Sequence, residues 1–101
     1  EAAHSNVWII KKKKIITHPA NNEILKGVTR TVLITLIKSS NLDLIEREFT
    51  IKELYNSDEI FITSSGSLIT PIVQVDKIKI NNCKIGPITK SLAKNFYKAI
   101  I

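Results

Sequence analysis

Two loops in this sequence combine glycine with hydrogen-bond donors, which are the residue types of an anion-binding site. The first loop spans residues 25–30 and places Gly27 and Thr29 at the predicted start of a helix. Glycine allows close approach of the backbone, and the first turn of a helix presents unpaired N–H groups and a positive partial charge. Thr29 and Arg30 add side-chain donors. Because the same residues begin many helices that bind nothing, this loop by itself leaves both interpretations open.

The second loop, residues 63–67, carries four hydroxyl side chains around Gly66 directly after a predicted strand. Hydroxyls and successive backbone N–H groups can form a concave anion site, although an ordinary turn uses the same residue types. Neither loop has the Gly-Lys-Ser/Thr ending of a P-loop, so ATP is not the expected ligand. The presence of both loops in one small chain favours a joint phosphate site as a hypothesis.

Side chains that could act as nucleophile and base are not grouped in the sequence. His4 and His18 are separated, and Cys83 falls in a predicted turn without a neighbouring base. A single cysteine forms no internal disulfide, and these residues have no zinc-ligand spacing. On physical grounds alone, Glu1 is a solvated carboxylate. We therefore expect no metal and no catalytic residue in this chain and, from its cysteine usage, a cytoplasmic location.

The composition is that of one folded domain. Hydrophobic residues make up 44% and charged residues 24% of the 101 residues, a balance typical of a globular chain with its own core. The apolar stretches are too short to span a membrane, and the first residues lack the layout of a signal peptide. The chain begins Glu-Ala-Ala and contains no methionine, so we expect it to be part of something longer.

The net charge of +6 would suit a nucleic-acid partner, but the kind of cation argues against it. Isoleucine, lysine and asparagine supply 40 of the 101 residues, a bias that AT-rich codons explain. Only two of the fifteen cations are arginine, the residue that binds phosphates and base edges through two donors. We expect neither a nucleic acid nor a membrane as partner, and a nucleic-acid binder remains the weakest alternative.

Hydrophobic periodicity and turn residues predict a mixed α and β order within residues 1–101. In the first half, the predicted elements are strands at 6–10 and 15–17 joined at a four-lysine tip, an ordered loop at 18–27, a helix at about 29–40 with Thr29 as N-cap and Asn41 at its end, and an exposed strand at 43–49. In the second half, they are a short helix opened by a Thr50–Glu53 capping box, strands at 60–63 and 69–75, an alternating segment at 77–80, a turn at Asn81–Asn82, and a helix at 88–101 with Leu92, Phe96, Tyr97 and Ile100 on one face.

Four stretches together resemble one family over the whole chain. They are Glu-Ala-Ala-His-Ser-Asn-Val-Trp at 1–8; Thr-His-Pro at 17–19 with Ile-Leu-Lys-Gly-Val-Thr-Arg at 24–30; Thr-Ser-Ser-Gly-Ser at 63–67 with Ile-Thr-Pro at 69–71; and Ile-Gly-Pro-Ile-Thr-Lys at 85–90. These stretches are similar to the C-terminal domain of fold-type IV, pyridoxal-phosphate-dependent class-IV aminotransferases. Residues 17–30 look more like D-amino-acid aminotransferase than branched-chain aminotransferase or aminodeoxychorismate lyase. The resemblance implies an α/β fold (mixed α+β), with a mixed sheet or pseudo-barrel and flanking helices.

The resemblance also implies roles for individual residues. Glu1 would face the pyridine nitrogen of pyridoxal 5'-phosphate, where a carboxylate keeps the nitrogen protonated and strengthens the ring as an electron sink. Leu25 would pack against the ring. The phosphate would be bound at the start of the helix and in the second loop, by Gly27, Val28, Thr29, Ser64 and Ser65.

The resemblance leaves part of the catalytic machinery outside this chain. The family's Schiff-base lysine, a phosphate-binding arginine and much of the substrate pocket lie upstream of the Glu1 position. Gly66 stands where relatives often have threonine or alanine, and Leu68 where many have glutamate. The resemblance implies a homodimeric parent enzyme that acts on amino acids and 2-oxo acids, and a separately made N-terminal half is a candidate partner. The alternative is a catalytically inactive remnant that keeps the fold and a partner surface.

Overall fold

The computed structural model describes residues 5–19, 28–64 and 69–100 and contains a five-stranded mixed sheet. The strands, in the spatial order β3-β2-β1-β4-β5, are β1 (Ser5–Lys11), β2 (Lys14–Thr17), β3 (Asp43–Glu46), β4 (Glu59–Ser64) and β5 (Thr70–Ile72). Strands β2 and β3 are parallel, whereas the other neighbouring pairs are antiparallel. Parallel neighbours need a long crossover, and the intervening helix supplies it. The predicted mixed α+β fold class is confirmed.

Three helices and a small hairpin complete the described architecture. They are α1 (Val28–Ser39), α2 (Ile51–Tyr55), α3 (Pro87–Ile100), and β6 (Gln74–Val75) paired with β7 (Ile78–Lys79), followed by a 3-10 turn at Asn81–Cys83. Helices α1 and α3 pack against each other and against β4. No helix in the described part of the chain is long and apolar enough to cross a membrane.

The sheet carries buried apolar side chains on both faces. Successive side chains of a strand point to opposite faces, so one strand contributes to both clusters. Trp8 and Ile10 of β1 point toward α1 and α3, while Ile9 belongs to a second cluster on the opposite face. The residues buried on the helix side are Trp8, Ile10, Ile15, Leu33, Ile37, Phe61, Ile69, Leu92 and Phe96. The second cluster contains Ile9, Ile16, Ile60 and Ile80. The central strands are therefore fixed by packing on both sides.

The four-lysine run lies at the exposed tip of the β1–β2 hairpin, as predicted. Lys12 and Lys13 form the turn with φ of 50° and 66°, the left-handed values that a tight two-residue hairpin turn requires. Asp58 holds this turn, because its carboxylate accepts from the Lys12 backbone N–H at 2.9 Å and from Lys11 Nζ at 3.3 Å. The tip is thus tied to the start of β4 by an acidic side chain.

Several predicted element boundaries were wrong. Helix α1 begins at Val28, so Thr29 is its second residue and not the N-cap. Strand β3 ends at Glu46 rather than 49, because its partner β2 ends opposite it at Thr17. The predicted strand 69–75 is two strands, since residues 74–75 pair instead with β7 across a turn in which Asp76 has a φ of 54°.

The C-terminal helix was predicted at 88–101 and occupies Pro87–Ile100. Leu92 and Phe96 are buried as predicted, but Tyr97 is 53% exposed. Helix α3 contacts the rest of the molecule along one face. Tyr97 is five residues after Leu92, and at 3.6 residues per turn this spacing places it on a different face of the helix. The predicted contribution of Tyr97 to the buried face was therefore wrong.

A buried carboxylate caps α3. Glu59, the first residue of β4, is 6% exposed and accepts hydrogen bonds from the backbone N–H groups of Ile88 at 3.3 Å and Thr89 at 2.7 Å. These two N–H groups belong to the first turn of the helix and have no acceptor within it. Gly86 lies against the same carboxylate, and a Cβ atom at this position would overlap it. Glu59 therefore joins the sheet to the helix.

The predicted Thr50–Glu53 capping box is present at the start of α2. The Glu53 backbone N–H donates to Thr50 Oγ1 at 3.1 Å, and the Thr50 backbone N–H donates to Glu53 Oε1 at 3.0 Å. Arg47 binds both carboxylate oxygens of Glu53, at 3.2 and 2.7 Å. The hydrogen bonds from Arg47, and then that from the Thr50 backbone, lower the pKa of Glu53 to about 2.

This carboxylate should give the chain an acid-dependent stability. The pKa of Glu53 is lower in the folded chain than its ordinary value of 4.5, so the ionised contacts stabilise the fold above that value and are lost as the pH falls toward 2. We expect wild type to melt at a higher temperature than Glu53→Gln at pH 6, and the two melting temperatures to converge near pH 2. Thermal unfolding of both proteins across this range is the measurement. A difference independent of pH would contradict the assignment.

Candidate functional site

The residues predicted to bind the cofactor are only partly within the described structure. Glu1, Leu25, Gly27 and Ser65 lie outside the described residues. Val28 and Thr29 form the first two residues of α1, and Ser64 is the last residue of β4. The structure thus gives the backbone position of one segment from each of the two predicted anion-binding loops.

The Ser64 segment lies at one end of the sheet. Strand β4 runs antiparallel to β1, and Ser64 is opposite Ser5, the first residue of β1. Strand β5 lies on the other side of β4 and pairs Ile62 with Thr70. Two antiparallel strands therefore flank residues 65–68, as the sequence predicted for the hydroxyl-rich loop. The last residue of β4 and the first residue of β1 therefore lie at the same end of the sheet.

The α1 segment is held by Arg30, the third residue of that helix. Arg30 is only 4% exposed. Its Nη2 donates to the backbone oxygen of His18 at 3.1 Å and to Glu46 Oε1 at 3.1 Å. His18 follows β2, and Glu46 ends β3, so one guanidinium group ties the first turn of α1 to two strands of the sheet. Arg30 was predicted only as an extra anion donor.

Trp8 connects Arg30 to β4. The Arg30 guanidinium carbon lies 5.2 Å from the centroid of the Trp8 ring, within the range of a cation–π contact. Trp8 is fully buried and donates from Nε1 to Thr63 Oγ1 at 2.9 Å. Thr63 immediately precedes Ser64. The residue after Thr29 and the residue before Ser64 are therefore both in contact with one buried indole ring.

The predicted anion site includes the start of α1, which is next to Arg30 in the sequence. Arg30 Nη1 is buried and has no hydrogen-bond partner among residues 5–19, 28–64 and 69–100. An unpaired buried donor on a charged group is costly to the folded chain. The N–H groups of the first helical turn add further donors. Phosphate oxygens are acceptors of the kind that N–H groups at a helix N-terminus bind.

Two surface grooves lie elsewhere on the molecule. One of about 420 Å³ lies between the β1–β2 hairpin and α2, and its rim includes Lys12, Lys14 and Lys52. The other, of about 230 Å³, includes Phe49 and His18, whose rings meet edge to face at 4.7 Å. Neither groove is lined by a residue predicted to bind the cofactor. Within the described ranges, no cluster of His, Cys, Asp or Glu could hold a metal.

Sequence reasoning missed the buried residues that support the predicted loops. Trp8 was read only as part of a strand, and Glu46 as part of an exposed one. Thr63 was counted among the loop hydroxyls, whereas it is 1% exposed and accepts from the indole. The available signal was a tryptophan in a strand, since a buried indole N–H usually finds an acceptor. The identity of that acceptor required the strand register.

Comparison with known proteins shows the family of this chain. Residues 1–75 match the family described as "Amino-transferase class IV". The chain belongs to the class-IV aminotransferase family. It is 42% identical over 101 residues to a "Probable branched-chain-amino-acid aminotransferase" of Aquifex aeolicus, covering 99% of this chain and 32% of that protein. It is 39% identical over 100 residues to the D-alanine aminotransferase of Staphylococcus haemolyticus, covering 99% and 36%.

The fold comparison gives the same family. The crystal structure of the Escherichia coli branched-chain amino acid aminotransferase superposes with a TM-score of 0.86 at 31% identity, covering 97% of this chain and 33% of that one. The solved neighbours are fold-type IV aminotransferases, which confirms the resemblance noted in the sequence. The class-IV chain described here thus spans about a third of the length of the relatives that it matches.

Proposed function

We propose that residues 1–101 form a single domain, the C-terminal cofactor-binding part of a pyridoxal-phosphate-dependent aminotransferase. The observation that carries the proposal is the joint environment of the two predicted phosphate segments. Thr29 and Ser64 are each adjacent in sequence to a residue, Arg30 or Thr63, that contacts the fully buried Trp8 ring. Membership of the class-IV family supports the same assignment.

Each part of the site has a separate task in this proposal. The backbone N–H groups of Val28 and Thr29, with Gly27 before them, bind the phosphate at the positive end of α1. Ser64 and Ser65 donate to the same phosphate from the β4 side. These contacts fix the position of the cofactor without taking part in proton transfer.

The remaining contacts act on the cofactor ring. In the proposal Leu25 would pack against the ring, and the Glu1 carboxylate would keep the pyridine nitrogen protonated. When bound, pyridoxal phosphate supplies the electron sink for amino-group transfer. The chain's residues thus bind and orient this group, while the lysine that carries it and much of the substrate pocket come from the rest of the longer enzyme.

The proposed reaction is transfer of an amino group between an amino acid and a 2-oxo acid. The two relatives named above are a D-alanine aminotransferase and a probable branched-chain aminotransferase, so the substrate is a D-amino acid or a branched-chain amino acid. We further propose that the protein acts in the cytoplasm as a homo-oligomer, and that the polypeptide bearing the upstream lysine covers this domain.

A cofactor titration tests the proposed function. We expect visible absorbance to show saturable binding of pyridoxal phosphate, with pyridoxal, which lacks the phosphate, binding at least about tenfold more weakly because charged hydrogen bonds are lost. Ser64→Ala should weaken binding of pyridoxal phosphate by about tenfold for the same reason. Ser39→Ala, which removes an exposed hydroxyl at the far end of α1, is the matched control and should leave binding unchanged.

Borohydride reduction and peptide mapping then show which lysines were close to the cofactor. We expect no single dominant lysine, because the proposed cofactor-bearing lysine is upstream of this chain. Scattered labelling without saturation would contradict a preserved phosphate site. One dominant lysine would contradict the division of roles between this chain and the rest of the enzyme.

A further inference from the structure

The two predicted phosphate segments come from distant parts of the sequence and from different kinds of element. Val28 and Thr29 are the first residues of helix α1, whereas Ser64 is the last residue of strand β4. In the sheet, β1 lies between β2 and β4. A phosphate bound by both needs their separation held to a fraction of an ångström, since hydrogen bonds weaken steeply with distance and angle. A physical connection between the segments is therefore required.

Such a connection is present beneath the site and consists of three buried side chains. Arg30 is anchored by its bonds to the His18 carbonyl and the Glu46 carboxylate, and it stacks over Trp8. The indole Nε1–H of Trp8 in turn donates to Thr63 Oγ1. We name these three residues, Arg30, Trp8 and Thr63, the indole bridge.

Burial and ring contacts restrict the motion of the side chains in the indole bridge. Arg30 is 4% exposed, Thr63 is 1% exposed and Trp8 is fully buried, so none of them can exchange its partner for water. Phe61 also stacks with Trp8, with ring centroids 5.7 Å apart and an interplanar angle of 10°. Two ring contacts and one hydrogen bond therefore restrict the position of the indole. A change at Thr63 must be accommodated by the indole, and through it by Arg30 and α1.

We propose that the indole bridge is a positioning device that holds the first turn of α1 in register with the end of β4 and so sets the width of the phosphate site. Arg30, Trp8 and Thr63 are positioning residues in this role and do not contact the substrate. The inference rests on the proposed function for its biological meaning, but the mechanical coupling of α1 to β4 can be measured without any ligand.

Thr63→Val is the primary test, because valine keeps the shape of threonine and removes the hydroxyl acceptor. Ser57→Ala is the matched control, since Ser57 is also buried and its hydroxyl bonds to the Leu54 carbonyl at 2.6 Å, away from the bridge. Thr63→Ser keeps the acceptor and is the rescue variant. Trp8→Phe, which removes the indole N–H from the other side, serves as a second probe if Thr63→Val folds poorly.

Hydrogen exchange followed by mass spectrometry measures the coupling in the free chain. We expect the backbone amides of residues 32–34, whose acceptors lie in the first turn of α1, to exchange about tenfold faster in Thr63→Val, the change expected for loss of one buried hydrogen-bond partner. Ser57→Ala and Thr63→Ser should match wild type at these amides. Equal exchange in Thr63→Val and Ser57→Ala would overturn the inference.

Titration with pyridoxal phosphate measures the functional consequence. Thr63→Val should bind about tenfold more weakly than wild type, whereas Ser57→Ala and Thr63→Ser should bind as wild type does. Faster exchange with unchanged affinity would overturn the positioning role while leaving the cofactor assignment intact. Absence of binding by wild type would contradict the proposed function, and the exchange comparison alone would then decide whether α1 and β4 are coupled.

Discussion

Phe61→Ala is expected to lower the free energy of unfolding by about 3–5 kcal/mol, the range observed when a buried phenylalanine is truncated. Phe61 is fully buried in the centre of β4 and belongs to the cluster between the sheet and the helices α1 and α3. It also stacks against Trp8, so its removal leaves a cavity beside the indole ring. The loss is large because the rigid sheet on one side and two helices on the other cannot collapse into that cavity.

Urea denaturation followed by far-ultraviolet circular dichroism is the measurement for Phe61→Ala. Phe61→Leu should cost less, because leucine fills most of the volume. Ile51→Ala is the control, since Ile51 is 65% exposed and its truncation should change stability by less than about 0.5 kcal/mol. Similar losses for Phe61→Ala and Ile51→Ala would contradict the placement of Phe61 in the core.

Glu59→Ala is expected to lower the free energy of unfolding by about 2–4 kcal/mol, because the N–H groups of Ile88 and Thr89, one part-buried and one buried, lose their acceptor. Gly86→Ala should lower the free energy of unfolding by about 1–3 kcal/mol, because the alanine methyl group would overlap the Glu59 carboxylate. In the double variant the methyl group has room. We therefore expect the two losses to be strongly non-additive, with Gly86→Ala costing less than about 1 kcal/mol in the Glu59→Ala background.

A double-mutant cycle by urea denaturation measures this coupling between β4 and α3. Glu59→Gln provides a further comparison, because its amide oxygen can still accept from one of the two N–H groups. Additive losses from Glu59→Ala and Gly86→Ala would show that the glycine is needed for some reason other than the carboxylate.

The stability of the core and the proposed function share the same residues. Phe61 and Thr63 are both buried in β4, and each contacts Trp8 from a different direction. The strand that ends at Ser64, a residue of the proposed site, thus also contributes buried residues to the core. A binding site for a small anion requires rigid support of this kind.

Features that depend on near neighbours in sequence were predictable. The Thr50–Glu53 capping box involves residues three positions apart, and the β1–β2 hairpin joins adjacent strands through a two-residue turn. The buried positions Leu92 and Phe96 follow the helical repeat. Each of these depends on local geometry that the order of residues determines. The family resemblance likewise came from short motifs in the sequence.

Features that join distant residues were decided only by the tertiary structure. The Trp8–Thr63 hydrogen bond spans 55 residues, and the cap on α3 joins Glu59 to Thr89 across 30. Both depend on strand register and helix placement, which no short window of sequence contains. The sequence by itself determined the family, the mixed α+β class and the two candidate phosphate loops. Only the tertiary structure brings Arg30 of α1 and Thr63 of β4 to one buried indole of β1, because burial leaves each polar group only the partners that the fold brings to it.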